Sequence, residues 1–257
     1  MERITVIKIG GNVIDNPEAL ARFVADFAAM EGAKILIHGG GKLATRLAER
    51  MEVPVQMVDG RRITDKATLD IVTMVYAGLV NKQLVAALQA AGCNALGLSG
   101  ADGNIVRAHR RAPNPIDYGF VGDIDTVDSA LLETLLEAGI TPVFSAIMHD
   151  GEGALLNCNA DSVATAVALG AAAVAPTDLI FCFEKRGVLR DADDDNSVID
   201  RITPENYQTL KAEGAVKGGM IPKIENALKA VAQGVQSVCI KHADDLLRIG
   251  GTTIVNE

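Results

Sequence analysis

Lys8 is the one charged side chain in a strand-forming run, Ile4 to Ile9, and two adjacent glycines, Gly10 and Gly11, follow it directly. An ammonium beside bare backbone suits an anion. Amide N–H groups reach a phosphate closely only where no side chain intervenes, and the lysine adds a full positive charge. The same residues also read as an edge strand with its lysine in solvent and a glycine turn behind it, and the stretch alone leaves both readings open. A second apolar run, residues 34–38, ends at His38 in three glycines, Gly39, Gly40 and Gly41, before a helix resumes at Lys42. Lys223 lies four residues after Gly219, near a helix start, where the dipole disfavours a cation unless an anion is present. Its plain alternative is a solvated first-turn lysine. His38 ends an apolar strand and reads as a hydrogen-bonded structural histidine rather than an acid or base.

These residues must be positioned by alternating strands and helices. Asn16-Pro17 starts a helix, with proline at its first position, and Gly32 stops it. Thr64 and Asp65 open a long helix to Ala91, closed by Gly92, before a strand over 94–98. Residues 105–125, rich in Arg, Pro and Gly, read as a hairpin excursion. A helix over 128–138, a strand over 142–147, a turn over 150–153 and a helix over 159–169 follow. The remainder alternates as strand 179–183, helices 204–213 and 220–233, strand 237–240, helix 243–249 and strand 252–255. Such alternation implies an α/β fold, a three-layer αβα sandwich whose central sheet is mainly parallel. Ligands bind beyond the C-terminal strand ends of such sheets, which is where the glycine turns lie. A division into lobes 1–175 and 176–257 is expected near Ala175-Pro176.

Known phosphate loops are absent: there is no GxxxxGK[ST], no GxGxxG after the first strand, and no HRD with DFG. No His, Cys or Asp cluster has metal-ligand spacing. The remaining pattern resembles the amino-acid kinase family, and within it the members that act on N-acylglutamates. It is carried by Lys8-Ile-Gly-Gly11, His38-Gly-Gly-Gly41, Gly60-Arg-Arg-Ile-Thr64, Val80-Asn-Lys82, Gly97-Leu-Ser-Gly100, Asn157-Cys-Asn-Ala-Asp161 and Gly218-Gly-Met-Ile-Pro-Lys223, in the family's order along nearly the whole chain. The resemblance implies a carbamate-kinase-like fold. It also implies transfer of the ATP γ-phosphoryl group to the side-chain carboxylate of an N-acylglutamate, a step of arginine biosynthesis. A glutamate side chain ordinarily titrates near pH ~4.3, so this carboxylate is ionised at neutral pH and no general base is needed. The difficulty is an anion approaching a polyanion, which cations and positioning must overcome.

By resemblance, Lys8 lies against the phosphoryl group, Lys223 stabilises the leaving side, and Asp161 holds both lysines. Gly40, Gly41, Arg62 and Asn157 are assigned to the acceptor, Arg62 as a bidentate carboxylate clamp. Gly10, Gly11 and Gly39 are assigned to phosphate, and the amides of Gly11, Gly40 and Gly41 would cradle its oxygens. Glu184, Gly187, Leu189, Gly219 and Met220 fall to the nucleotide, ATP, which brings Mg²⁺ with few protein ligands. Read without the resemblance, Asn157 and Asp161 flank a helix start that Asn159 or Asp161 would cap, and Arg61-Arg62 is a surface pair. The basic run 107–111 and the acidic run 191–195 read as solvated faces. One departure stands out: Phe183 and Glu184 occupy positions where the family has a small hydroxyl residue and Asp, so the adenosine pocket should differ in detail.

The alternatives are another N-acyl group such as succinyl, a kinase of aspartate, glutamate or carbamate, and a non-catalytic amino-acid or nucleotide sensor. The segments 60–64 and 157–161 argue against other amino-acid kinases, and joint retention of Lys8, Asp161 and Lys223 argues against a sensor. At 257 residues, 49% hydrophobic and formally −9, the chain can bury a large core and is poorly suited to nucleic acid or anionic membrane. Cys93, Cys158, Cys182 and Cys239 are dispersed in apolar contexts and read as reduced core residues of a cytoplasmic protein. No run reads as long enough to span a bilayer, and no secretory pattern opens the chain. Arginine-inhibited family members carry an extra helix before the first strand. This chain enters that strand by Arg3 or Ile4, so a homodimer without arginine feedback is expected.

Overall fold

The computed structural model describes residues 1–58, 60–191 and 193–257. β1 (Ile4–Ile9) runs into the single-turn α1 (Gly11–Ile14) and then α2 (Pro17–Ala29), which Asn16 caps by accepting the Glu18 and Ala19 amides. β2 (Ala33–His38), α3 (Gly41–Arg50) and a short ribbon of β3 (Met57–Val58) and β4 (Arg61–Arg62) follow. The long helix comprises α4 (Lys66–Thr73), a π segment (Met74–Val80) and α5 (Asn81–Ala90). Next come β5 (Ala95–Leu98), β6 (Val106–Arg110), β7 (Gly122–Val127), α6 (Ser129–Glu137), β8 (Thr141–Phe144), β9 (Ile147–His149), β10 (Leu155–Asn157) and α7 (Ala160–Ala172). The last part holds β11 (Thr177–Phe183), β12 (Arg201–Ile202), α8 (Pro204–Ala212), α9 (Met220–Ala232), β13 (Ser237–His242) and β14 (Thr252–Ile254).

Among the described residues eight strands form one sheet in the order β12-β14-β13-β11-β1-β2-β8-β5, parallel except where β13 meets β14. β1 is therefore an interior strand. It pairs along its length with β2 and β11, which sets Lys8 opposite Ile37 and Phe181. Ile4, Val6, Ile7 and Ile9 are fully buried, and each contributes roughly 1.5–3 kcal/mol, an upper figure. The edge-strand reading of Lys8 is excluded. Because β1, β2 and β11 are parallel and in register, Ile9 stands beside His38 and Cys182. Gly10, Gly39 and Phe183 consequently stand at the same end of the sheet, with α7 packed across β1 and β11.

A smaller sheet, β10-β9-β6-β7, contains the hairpin expected within 105–125. Its basic face is paired internally, His109 with Asp125, Arg110 with Asp117 and Arg111 with Asp123. The acidic turn carries Lys185–Asp195 at 3.0 Å, and Ala192 within it lies outside the described residues.

Four elements differ from the sequence reading. Residues 142–147 are divided: β8 stays in the main sheet, the chain breaks at Ser145-Ala146, and β9 joins the smaller one. β10, three residues long, is too short to show a period. The long helix is interrupted by the π segment, whose wider turn buries Val75, Tyr76 and Val80 together. Residues 243–249 form only a 3₁₀ turn over Ala243–Asp245, because Lys241 Nζ takes the Arg248 carbonyl at 2.6 Å and reaches that of Leu246 at 3.5 Å. Lys34 acts similarly on α2, binding the carbonyls of Phe27, Ala28 and Met30 at 2.7, 3.0 and 2.5 Å.

Against the sequence reading, Lys66–Ala90 is long and apolar enough to cross a membrane, with mean hydropathy 1.5 in its most apolar window. Here its Leu69, Ile71, Val72, Leu84 and Leu88 face the core. All four cysteines are free, and Cys239 alone among them is not fully buried. Burial pushes the Cys158 and Cys182 thiols up to about 12, so neither forms a thiolate at neutral pH.

Residues 118–120 tie distant segments together. Thr64 N donates to Tyr118 O (2.9 Å), Phe120 N to Thr64 O (2.7 Å) and Asn157 N to Phe120 O (2.8 Å). Gly119, at φ +72°, allows this approach, since a Cβ there would fall on the Thr64 carbonyl. Gly119→Ala should lower unfolding stability by on the order of 1–3 kcal/mol, seen as a lower urea midpoint with unchanged slope. An unaltered midpoint would show that this backbone yields freely.

Candidate functional site

Lys8 leaves β1 toward α7, where its Nζ lies 2.6 Å from Asp161 Oδ1. The lysine side chain is 11% exposed and the carboxylate 29%, so water screens the pair incompletely. Asn159 caps α7 by accepting the amides of Asp161 and Ser162 at 2.9 and 3.1 Å. The cap reading of this stretch therefore holds for Asn159, and it leaves the Asp161 carboxylate to Lys8.

Lys223 enters from the first turn of α9 and is half-buried. Burial lowers its pKa; Asp161 partly opposes this, and Lys8 reinforces it. Asp161 and Lys223 line one cavity, and Lys8 is paired with Asp161. Both ammonium groups also face Phe183 at the end of β11: Lys223 Nζ is 3.5 Å from the ring centroid and Lys8 Nζ 5.8 Å.

On the other side of α7 a cavity of about 220 Å³ is bounded by Gly39, Gly40, Gly41, Arg61, Arg62, Tyr76 and Asn157, among others. Arg62 is anchored through Nη2 to Gly41 O (3.0 Å) and Thr45 Oγ1 (2.8 Å), which fixes the plane of its guanidinium. Asn157 Nδ2 donates to Thr64 Oγ1 (3.0 Å), whose hydroxyl donates to Arg62 O (3.0 Å). Asn157 Oδ1 is thereby left as an acceptor. Tyr76 packs so closely on Gly40 that a Cβ there would stand 2.8 Å from its ring.

Behind this cavity lies a buried relay. Val143 O can only accept, so the Asn81 atom 2.8 Å from it is the amide nitrogen. That nitrogen also donates to His38 Nε2 at 3.1 Å, so the His38 proton sits on Nδ1 and is donated to Gly39 O at 2.8 Å. Lys82 completes the chain by donating to Asn81 Oδ1 at 2.9 Å. Burial drives the His38 pKa down to about 4. The ring is neutral and holds the second glycine turn from inside, in keeping with a structural histidine.

Three cavities form a row. The first adjoins one of about 380 Å³ through Gly60, Arg61 and Asn159, and that one contains Asp161, Gly219 and Lys223. Phe183 and Ile240 separate it from a third, about 440 Å³ and largely apolar, where Glu184, Gly187, Leu189 and Met220 lie. Gly10 and Gly11 border none of the three, and no neighbour is close enough to exclude a Cβ at either. Tyr76, Arg61 and the ring of Phe183 went unassigned from sequence. The Arg61-Arg62 pair and the misfit at 183 were the available signals. Among the described residues no group of His, Cys, Asp and Glu could hold a metal ion.

The sequence profile of the amino acid kinase family matches residues 3–242. The chain is 50% identical over 253 residues to the acetylglutamate kinase of Bacteroides fragilis, spanning 98% of this chain and 97% of that one. It is 51% identical over 250 residues to the acetylglutamate kinase of Cytophaga hutchinsonii, spanning 97% and 95%. Carbamate kinase from Giardia lamblia, solved with AMP-PNP, superposes with a TM-score of 0.73 over 100% of this chain and 99% of that one; at 11% identity this is a likeness of fold alone.

The relay makes a prediction of its own. ¹⁵N shifts of His38 should report a neutral ring protonated at Nδ1 from about pH 5.5 to pH 9, and Asn81→Leu should abolish that preference. An Nε2–H tautomer in the unaltered protein would break the relay.

Proposed function

The chain belongs to the amino acid kinase family, and from that membership we propose that it transfers the ATP γ-phosphoryl group to the side-chain carboxylate of N-acetyl-L-glutamate. The product is N-acetyl-L-glutamyl 5-phosphate, a step of arginine biosynthesis. The observation that carries this reading is the meeting of Lys8, Lys223 and Asp161 between a small cavity carrying Arg62 and Asn157 and a larger, largely apolar one.

The acceptor occupies the first cavity. Arg62 takes its α-carboxylate, and Asn157 Oδ1 accepts the N–H of its acylamino group. The side-chain carboxylate then points past α7 toward the second cavity, already ionised and needing no base. ATP lies with its adenosine in the third cavity, against Val188, Leu189 and Met220, and its phosphates in the second. Lys8 meets the transferring group and Lys223 the developing charge on ADP. Asp161 pairs with Lys8 and leaves the trio one net positive charge for the incoming phosphates. That surplus opposes the repulsion between carboxylate and polyphosphate, which is the main barrier to in-line transfer. The amides of Gly39, Gly40 and Gly41, on the turn that His38 braces, face the transferred oxygens.

Mg²⁺ fits this site as part of the nucleotide, since Asp161, the one carboxylate found lining the second cavity among the described residues, is taken by Lys8. Bound there, the ion would neutralise phosphate charge. Residues 1–175 thus serve the acceptor and 176–257 the nucleotide. A cytoplasmic homodimer completes the proposal; exposed Met74 and Leu79 on the π segment support self-association. Arg61, a second guanidinium on the acceptor cavity, favours as a second reading an acyl group with its own carboxylate, such as succinyl.

Trapping the acyl phosphate with hydroxylamine tests the proposal, with N-acetylglutamate, N-succinylglutamate, glutamate and aspartate as parallel acceptors. Hydroxamate is expected with an N-acylglutamate; product only from a free amino acid, or none at all, would overturn it. Lys8→Ala and Lys223→Ala should each lower kcat by about 10²–10³ with much smaller changes in KM, because their contacts tighten in the transition state. Near-normal turnover in both would remove their assigned roles.

A further inference from the structure

We propose that Phe183 is a positioning residue for phosphoryl transfer: its π face holds the Lys223 ammonium between the second and third cavities until nucleotide phosphates take it over. The inference rests on the function proposed above and concerns a residue that function did not use.

Lys223 makes no hydrogen bond or ion pair among the described residues; the nearby Asp161 carboxylate pairs with Lys8 at 2.6 Å. Its remaining partner is the ring, 3.5 Å from Nζ to centroid. Lys8 shares the same ring more distantly, at 5.8 Å. Phe181 supports the ring from its own strand, centroids 6.3 Å apart and planes 28° apart, which keeps the face from turning away. Phe183 also forms the partition between the cavity with the cations and the apolar one. A triphosphate reaching from one to the other must pass it.

The chemistry favours a ring at this position. Lys223 is a half-buried cation at the helix end where the dipole repels it, with another cation beside it. A carboxylate at 183 would hold it in a salt bridge that competes with phosphate. A small hydroxyl would leave it without a restraining surface. The π face attracts an ammonium appreciably when water is excluded, yet far less than a polyphosphate does. Lys223 is thus kept near its working place and is released when the anion arrives.

The test replaces Phe183 in the full chain with mono-, di- and trifluorophenylalanine, which keep its shape and progressively weaken the negative face. kcat should fall stepwise, by about threefold to thirtyfold at the end of the series, with KM for the acceptor unchanged. Phe183→Tyr should retain activity and Phe183→Leu should resemble the trifluoro protein. A second readout is independent of turnover. In the free protein the Lys223 ε-methylene protons should be displaced upfield by the ring current, and Phe183→Leu should abolish the displacement. A flat fluorination series in an active enzyme overturns the inference. So does an undisplaced Lys223 signal, whether or not any acceptor is turned over. Failure of the functional reading shows up separately, as absence of hydroxamate in the unaltered protein.

Discussion

Two ammonium groups held near one carboxylate, largely out of water, are the constraint that the rest of the molecule serves. Like charges at partial burial repel, Asp161 outweighs Lys8 at Lys223, and burial remains the main cost of that ammonium. The lowered pKa of Lys223 follows chiefly from that burial, with Asp161 opposing it and Lys8 adding least. An incoming polyphosphate relieves that cost. The site is therefore most at ease when occupied, which is a sound arrangement for bringing an anion to a polyanion.

Rigidity comes from the sheet. Lys8 stands on a strand paired on both sides, so its stem cannot retreat. Lys223 and Asp161 stand on first turns of helices instead, and their approach depends on how α9 and α7 pack against the strand ends. The second glycine turn is braced from inside by a neutral histidine and from above by Tyr76. The acceptor cavity is closed by a backbone clasp from Thr64 through residues 118–120 to Asn157, assembled from three distant segments.

Lysines in strands illustrate how differently one residue type is used here. Lys34 on β2 and Lys241 on β13 are buried more completely than Lys8, yet they bind backbone carbonyls at the ends of a helix and a turn. Each satisfies groups that would otherwise be buried without partners. Only Lys8 is directed at a carboxylate in a cavity wall.

The amino-acid sequence by itself determined the alternation of strands and helices, the glycine turns at two strand ends, and the pair of distant lysines that made an anion site reasonable. These are local properties: apolar period, breakers and caps act over a few residues and leave their mark on composition. Tertiary structure decided the rest. Whether Lys8 was interior or at an edge depended on β2 and β11 pairing beside it, and no residue of β1 encodes that. The break between β8 and β9, the π turn at Tyr76 and the loss of a helix after Lys241 arise from partners far away in the chain, because packing and hydrogen-bond satisfaction override local propensity. Phe183 was visible only as a misfit; its face gained a meaning once a lysine from α9 was found 3.5 Å above it.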